Sequence, residues 1–572
     1  MLDEQTHSNS NFISYPGRVR TYLDKPHANT LPYSCILRKY HKNKLGELLE
    51  TIAVDLKHGA GVKTVLDEFT PIEYPEKRPP FFRFYLSPKH FDAQYLSNRS
   101  DLYNLYFVSS VKDSFVYRVR DQMEGNGGII DSWKFLIELY NQSQTFNVVF
   151  DLSNLRPAGS VNSNGMIASG PVSDGKGLSF VDIYFAIDHH MRNGKIGSLI
   201  RLLGVVNEVI RRGGFKRGIV CTSLHYQSAS IYDYINQPNK DVVGGHRKSY
   251  RIDKGLLDYP ELLEQIADSV ENEGSFLEKE QTGFYANVCM GIKLKEDGTC
   301  LLNRINLAQL TIGEFPLLPE IFEKATLDLL TIHCEWRDKY PEKSKRVAKL
   351  DSDNQVALDL IGLASAIAQW GITYKELCEA LKRFNNETNE PRVSIADNWV
   401  YWMARGYQKS KQVADEFSRG HSLPYFERLH TIEPSQRHFL DLTDREGYTV
   451  TRSVYPPFDR RITRVSDTED VVFVEHNPKV ETVQDVGADL WQEFFCELKT
   501  FLGLVGRSHG FMSFDSYKPI TPEWIKWFLE SSPLESLYYP ESSRYETHYL
   551  DKKVEICDLG LDDLEDCSVC SE

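Results

Sequence analysis

The chain has 572 residues, with 66 Lys+Arg against 81 Asp+Glu and a formal net charge of −15. Its 41% apolar and 12% aromatic content supplies a large core and excludes wholesale disorder. The acidic balance argues against a general binder of nucleic acid or anionic membrane. No apolar run reaches the roughly 18 residues of a membrane span. The start, MLDEQTHSNSNF, lacks the basic and then apolar pattern of a secretory signal. The expectation is therefore a soluble cytoplasmic protein with neither DNA nor membrane as partner.

Residues 1–30 are polar and aperiodic, which reads as a loosely held end. Between 43 and 70, NKLGELLETIAVDLKHGAGVKTVLDEF shows helical spacing broken near His58-Gly-Ala-Gly61. This predicts a small N-terminal helical cap over residues 1–94. From about 95, short apolar strands (LYNLYFVSS, FNVVFDLS, RGIVCTSL, YANVCMGIKL) alternate with amphipathic helices (IGSLIRLLGVVNEVIRR, NQVALDLIGLASAIAQWG). That order predicts an α/β domain over residues 95–545, with a largely parallel sheet or barrel. Polar Gly-containing loops follow strands at 159–170 and 211–218. Beyond 440 come hairpin-like pieces, a helix near 522–531, and a charged tail over 546–572 that is expected to be flexible. There are no internal repeats.

The ten cysteines are too scattered for a disulfide scaffold in a chain of this size. Cys567-Ser-Val-Cys570 lies on the acidic tail, and without a second pair it leaves zinc short of ligands. It reads as a dithiol that travels, with chance or a partial metal site as the alternative. Cys289 and Cys300 flank the turn-forming pair Asp297-Gly298, so two extended pieces could bring both thiols to one pocket, unless both are core residues. In Thr431-Ile-Glu433-Pro434-Ser435-Gln436, Pro434 could open a helix whose free N–H groups bind an anion. The glycine-rich basic loop Gly213-Gly-Phe-Lys216-Arg217-Gly218 is a candidate nucleotide clamp. Leu537-Tyr538-Tyr539 places two phenols side by side.

In this order the pieces resemble the catalytic α subunit of ribonucleotide reductase, class I-like and compact, over roughly residues 95–570. DLSNLRPAGSVNSNGMIASGP is similar to the family's substrate-side strand and first specificity loop, and GGFKRG to its second. Asn287-Val-Cys289, followed by Cys300-Leu-Leu-Asn-Arg-Ile-Asn-Leu, is similar to the finger-loop Asn-x-Cys and the reducing cysteine. TIEPSQ resembles the substrate-phosphate loop, LYYPESSR the tyrosine pair, and the terminal CxxC the shuttle dithiol. The resemblance implies a ten-stranded α/β barrel with the radical cysteine on a loop inside it.

Carried over residue by residue, it implies a thiyl radical at Cys289 and hydrogen bonding of substrate hydroxyls by Asn287. Cys300 becomes one of two reducing thiols, Cys567 and Cys570 the shuttle, and Tyr538 and Tyr539 the radical relay. Ala158, Gly159, Asn104, Thr431, Pro434, Ser435 and Gln436 would contact substrate. Asp113, Ser114, Lys216 and Arg217 would bind a dNTP or ATP effector with Mg²⁺. The implied substrate is a nucleoside diphosphate. The implied partners are a β subunit carrying a metal-radical cofactor, thioredoxin or glutaredoxin, and a second copy of the chain. No tightly bound cofactor and no metal site are expected in this chain, and residues 1–94 lack the pattern of an ATP cone.

Two departures stand out. The finger-loop Glu of the family, a general base, is Gly291 here; Glu433 is the candidate substitute, with helix capping as its alternative role. The family's second reducing cysteine falls at Leu105 in Asn104-Leu105-Tyr106-Phe107-Val108-Ser109. Cys221 is the preferred replacement and Cys35 the fallback. An adenosylcobalamin-dependent reductase and a non-catalytic paralogue remain as competing readings; RPAGS…ASGP points to the former, and Gly291 with Leu105 to the latter.

Overall fold

In the computed structural model, the described residues are 12–15, 17–24, 31–71, 81–111, 114–142, 147–160, 168–175, 177–211, 219–243, 246–340, 356–386, 394–421, 431–432, 438–451, 454–457, 460–465, 471–505, 511–515 and 520–538. The chain divides into two compact units, Leu37–Ser249 and a second formed by Met1–Ile36 with Tyr250–Glu572. The strands in chain order are β1 (Ile13–Ser14), β2 (Cys35–Lys39), β3 (Gly61–Val65), β4 (Phe81–Tyr85), β5 (Phe115–Arg118), β6 (Asn147–Asp151), β7 (Val220–His225), β8 (His246–Ile252), β9 (Phe276–Lys279) and β10 (Tyr285–Ala286). They continue with β11 (Lys293–Leu294), β12 (Thr299–Asn306), β13 (Val356–Ile361), β14 (Thr431–Ile432), β15 (His438–Thr443), β16 (Thr449–Thr451), β17 (Arg461–Val465), β18 (Val471–Glu475), β19 (Phe511–Asp515) and β20 (Ser536–Tyr538). Helices lie between many of them, so the fold is mixed α/β.

In the unit Leu37–Ser249, β3 and β7 pair in parallel, Lys63 opposite Cys221. A separate three-stranded parallel sheet runs β4-β6-β5. The helix Leu45–Lys57 buries Leu45, Leu48, Leu49, Ile52 and Leu56 at helical spacing. Its Asp55 accepts two hydrogen bonds from Arg38 at 2.7 and 2.8 Å, a buried bidentate pair. Helices Phe180–Asn193 and Ile196–Arg211 complete this layer.

The second unit is built on β12, which is buried along its whole length. On one edge β12 pairs antiparallel with both β2, at Thr299 and Cys300, and β1, at Arg304 and Ile305. On the other edge it pairs in parallel with β13. β20 continues the arrangement, antiparallel to β9 and parallel to β19, which in turn pairs in parallel with β14. Asn303 Nδ2 donates to the carbonyl of Ala325 in the helix Leu318–Lys339, so the odd-numbered face of β12 meets helix. Strand alternation then turns Cys300, Leu302 and Arg304 to the opposite face.

Four segments differ from their sequence reading, one of them YANVCMGIKL, which is read as a single strand and is β10 and β11 about the loop 287–292. NQVALDLIGLASAIAQWG, read as one helix, is β13 followed by the helix Leu363–Trp370. All six residues of β13 are buried, so the polar alternation that would mark a strand is missing. Gly362 makes the corner at φ +73°, a conformation glycine adopts without strain. LYNLYFVSS, read as a strand, begins as the helix Ser100–Tyr106, whose Tyr103 is buried and whose Leu105 is exposed. The helical cap expected over 1–94 contains β2, β3 and β4, because GVKTV after the Gly59 turn is a fully buried strand. The expected tail, 546–572, lies outside the described residues.

The helix Ile395–Gly420 packs on Leu318–Lys339 through Gly406, where an added Cβ would stand 2.6 Å from the Phe322 ring. Gly406→Val is therefore expected to destabilise the protein by about 1–3 kcal/mol, since overpacking forces ring and backbone to shift. Urea unfolding of the variant checks this.

Candidate active site

β10 and β11 form a short antiparallel hairpin, Tyr285 opposite Leu294 and Ala286 opposite Lys293, with residues 287–292 as its loop. The loop is folded on the Asn287 side chain. Asn287 Oδ1 accepts from the N–H groups of Gly291 at 2.8 Å and Ile292 at 3.3 Å, while Asn287 Nδ2 donates to Cys289 Sγ at 3.0 Å. Backbone bonds Asn287 N–H to Ile292 O and Met290 N–H to Asn287 O close the turn. Met290 sits at φ +59°, a left-handed conformation that costs an L-residue roughly 1–2 kcal/mol. Such strain is kept where surrounding bonds over-determine the backbone, often at functional sites.

Three thiols converge here. Cys35 Sγ lies 4.0 Å from Cys289 Sγ. Cys35 and Cys300 are directly opposed in the β2–β12 register, so they share a face with Cα atoms about 4.5–5.5 Å apart. That separation falls within the range a disulfide spans. Cys35 and Cys300 are buried, whereas Cys289 is partly exposed. Further along the same face, Arg304 of β12 stands opposite Asp359 of β13, and both are buried.

Charged groups hold the hairpin from behind. Glu278 Oε2 accepts from Ala286 N–H at 2.7 Å. The Arg251 guanidinium lies 5.0 Å from the Tyr285 ring and bonds Glu280 at 2.9 Å. Lys293 Nζ donates to Lys279 O at 3.1 Å and to Glu535 Oε2 at 3.3 Å. Burial lowers the Lys293 ammonium from its usual value, and it pushes Lys279 down to about 8, with Lys499 and Lys293 adding repulsion. Burial alone would raise the Glu535 carboxyl, but Lys293 and Lys499 hold it below its usual value.

The remaining sequence candidates fall as follows. Cys221 is fully buried on β7 in the unit Leu37–Ser249. Asn104 is exposed on the helix Ser100–Tyr106, not on a sheet strand. Ala158 and Gly159 begin a loop anchored by Asp92, whose carboxylate accepts from Ala158 N–H at 3.0 and 3.2 Å. Gly159 N–H reaches Ala168 O. Asp92 escaped the sequence reading because the only signal was a lone acid in FDAQYLS, and burial raises its pKa. Ser114 is exposed just before β5. Thr431 lies in β14 and Tyr538 in β20. Asp113, Lys216, Arg217, Glu433, Pro434, Ser435, Gln436, Tyr539, Cys567 and Cys570 lie outside the described residues. Among the described residues no group of three or more His, Cys, Asp or Glu could hold a metal ion, and no helix is long and apolar enough to cross a membrane.

No protein-family model and no curated protein matches this sequence. Solved structures do match. A B-12-dependent (class II) ribonucleotide reductase aligns with TM-score 0.58 and 12% identity, over 94% of this chain and 84% of that one. The class Id ribonucleotide reductase alpha subunit of Actinobacillus ureae aligns with TM-score 0.49 and 12% identity, over 92% and 86%. An anaerobic ribonucleotide reductase from Thermotoga maritima aligns with TM-score 0.31 and 9% identity, over 90% and 76%. The first likeness shows that this chain has the ribonucleotide reductase fold.

Lys279 gives a pH test of the hairpin's surroundings. Its folded pKa, near 8, lies below its unfolded value, near 10.5, so between those values the unfolded chain binds more protons. Unfolding free energy is expected to rise with pH across this window, and Lys279→Met to flatten the rise in urea titrations.

Proposed function

We propose that this chain reduces ribonucleotides to 2′-deoxyribonucleotides by thiyl-radical chemistry. The observation that carries the reading is the convergence of Cys289, Cys35 and Cys300. Removing a 2′-hydroxyl is difficult by polar steps and easier once a radical sits at C3′. A thiyl at Cys289 takes the C3′ hydrogen and returns it at the end. Asn287 donates to the Cys289 sulfur and so orients the thiol, and it is proposed to hydrogen-bond the substrate hydroxyls during the reaction. The 2′-hydroxyl leaves as water, and two thiols supply two electrons and two protons as they join in a disulfide. The balance is ribonucleotide plus two thiols giving deoxyribonucleotide, disulfide and water. In this proposal Cys35 is the partner of Cys300, taking the place assigned to Cys221 from sequence, because the β2–β12 register opposes the two thiols.

The substrate is proposed to be a nucleoside diphosphate, with its phosphates near TIEPSQ, and a dNTP or ATP with Mg²⁺ as effector. The tail dithiol Cys567/Cys570, recharged by thioredoxin or glutaredoxin, would reopen the buried disulfide. Tyr538 and Tyr539 would pass the radical inward from a separate metal-bearing β subunit, in a chain that acts as a homodimer. Gly291 removes the finger-loop carboxylate, a class of group that contributes about 10²–10⁴ in rate. Glu433 is proposed to supply it, and Glu433→Gln is expected to lower kcat by at least about tenfold.

One observation favours a second reading: the TM-score of 0.58 belongs to a B-12-dependent enzyme. Cys289 alone of the three thiols is partly exposed, so a radical generated beside it by adenosylcobalamin would reach the same atom. The test is deoxynucleotide formation by the purified chain with Mg²⁺, dithiothreitol, CDP or GDP and mixed effectors. It is run with a candidate β subunit and, separately, with adenosylcobalamin. Turnover with the β subunit alone, lost in Cys289→Ser, is the expected result. Turnover with adenosylcobalamin alone selects the second reading, and none in either contradicts both.

A further inference from the structure

The loop that carries Cys289 is folded on Asn287 and holds Met290 in a left-handed conformation, and it is also tied from outside. Its frame is built from buried polar groups that the proposed chemistry does not use. Glu278 on β9 takes the Ala286 N–H, and Ser536 on β20 donates to Met290 O at 3.3 Å. These two residues face each other across the β9–β20 pairing, so the loop lies over their shared face. Lys293, the first residue after the loop on β11, reaches both neighbouring segments. Its Nζ bonds Lys279 O at the end of β9 and Glu535 just before β20. Lys499 holds the other Glu535 oxygen at 3.2 Å.

We propose that Lys293 and Glu535 are positioning residues: their ion pair locks the Cys289 hairpin onto the segment that leads into β20, fixing the Cys289 thiol relative to Cys35. The assignment rests on the function proposed above only for its effect on turnover. A lysine side chain that is 4% exposed is expensive to bury unless it is paired and fully bonded. An apolar residue would fill the same space without that cost, so what the lysine adds is direction: it bonds one carbonyl and one carboxylate on two different segments. Hydrogen transfer to and from a sulfur depends steeply on placement, and a displacement of about 1 Å can cost about 10²-fold. A loop with a left-handed Met290 is served by such an external tie.

The experiment uses the full chain as wild type, Glu535→Gln and Lys293→Met, all reduced. The rate of Cys289 alkylation by iodoacetamide is read by peptide mass spectrometry, with exposed Cys496 as internal control. Release of the hairpin is expected to speed Cys289 alkylation by about tenfold in both variants while Cys496 is unchanged. In turnover, kcat is expected to fall at least about tenfold with KM within about twofold. Cys289 alkylation within about twofold of wild type in a folded Glu535→Gln chain overturns the lock. Should Lys293→Met fail to fold, Glu535→Gln decides alone. A wild-type chain without turnover counts against the proposed function, while the alkylation rates still decide the lock.

Discussion

The antiparallel pairing of β2 with β12 is the constraint on which the rest depends. It is brief, covering Thr299 and Cys300, yet it sets a cysteine from near the N-terminus opposite one from the middle of the chain. β12 can accept this strand because its two edges are shared among three partners: β2 and β1 on one side and β13 on the other. With the odd-numbered face covered by helix, alternation leaves Cys300 no other direction than the face it shares with Cys35. The hairpin of β10 and β11 then adds the third thiol. Each feature has a structural reason by itself. Together they make a site in which one partly exposed sulfur sits over two buried ones that can join.

The unit that carries this site keeps several charged side chains buried. Arg304 and Asp359 occupy opposed positions on β12 and β13, and Lys293, Glu278 and Arg251 are all buried near the hairpin. Buried ion pairs are poor sources of stability, because desolvation offsets most of the attraction. The bonds of Glu278 and Lys293 are better understood as geometry: they tie the hairpin that carries a strained loop, which apolar packing would not orient. Lys279 is lowered chiefly by its burial, with Lys499 and Lys293 adding repulsion and Glu535 opposing it.

Part of the thiol site's geometry is legible in the sequence, and the parts that are not share a cause. Asn287, Cys289, the Asp297-Gly298 turn and Cys300 lie within one short stretch, so local spacing was enough to link them. The pairing of Cys35 with Cys300 is long-range, and no local pattern announces it. LPYSCILRK followed a polar, aperiodic start and was absorbed into an expected cap. The stretch 102–110 misled because Tyr103 and Phe107 fit both a strand and one face of a helix; Tyr103 buried beside exposed Leu105 settles it as a helix. β13 misled for the opposite reason, since a strand buried on both faces loses its alternation. Nothing local marks Lys293 or Glu535, because the burial of Lys293 and its pairing with a half-buried Glu535 are properties of the assembled sheet.

Disulfide mapping tests the opposition of Cys35 and Cys300. The Cys289→Ser chain, which lacks the competing thiol, would be oxidised with diamide under native conditions and digested for mass spectrometry. The account requires a peptide pair joined through Cys35 and Cys300. Cys300 recovered as a free thiol, or joined to Cys221, would contradict it.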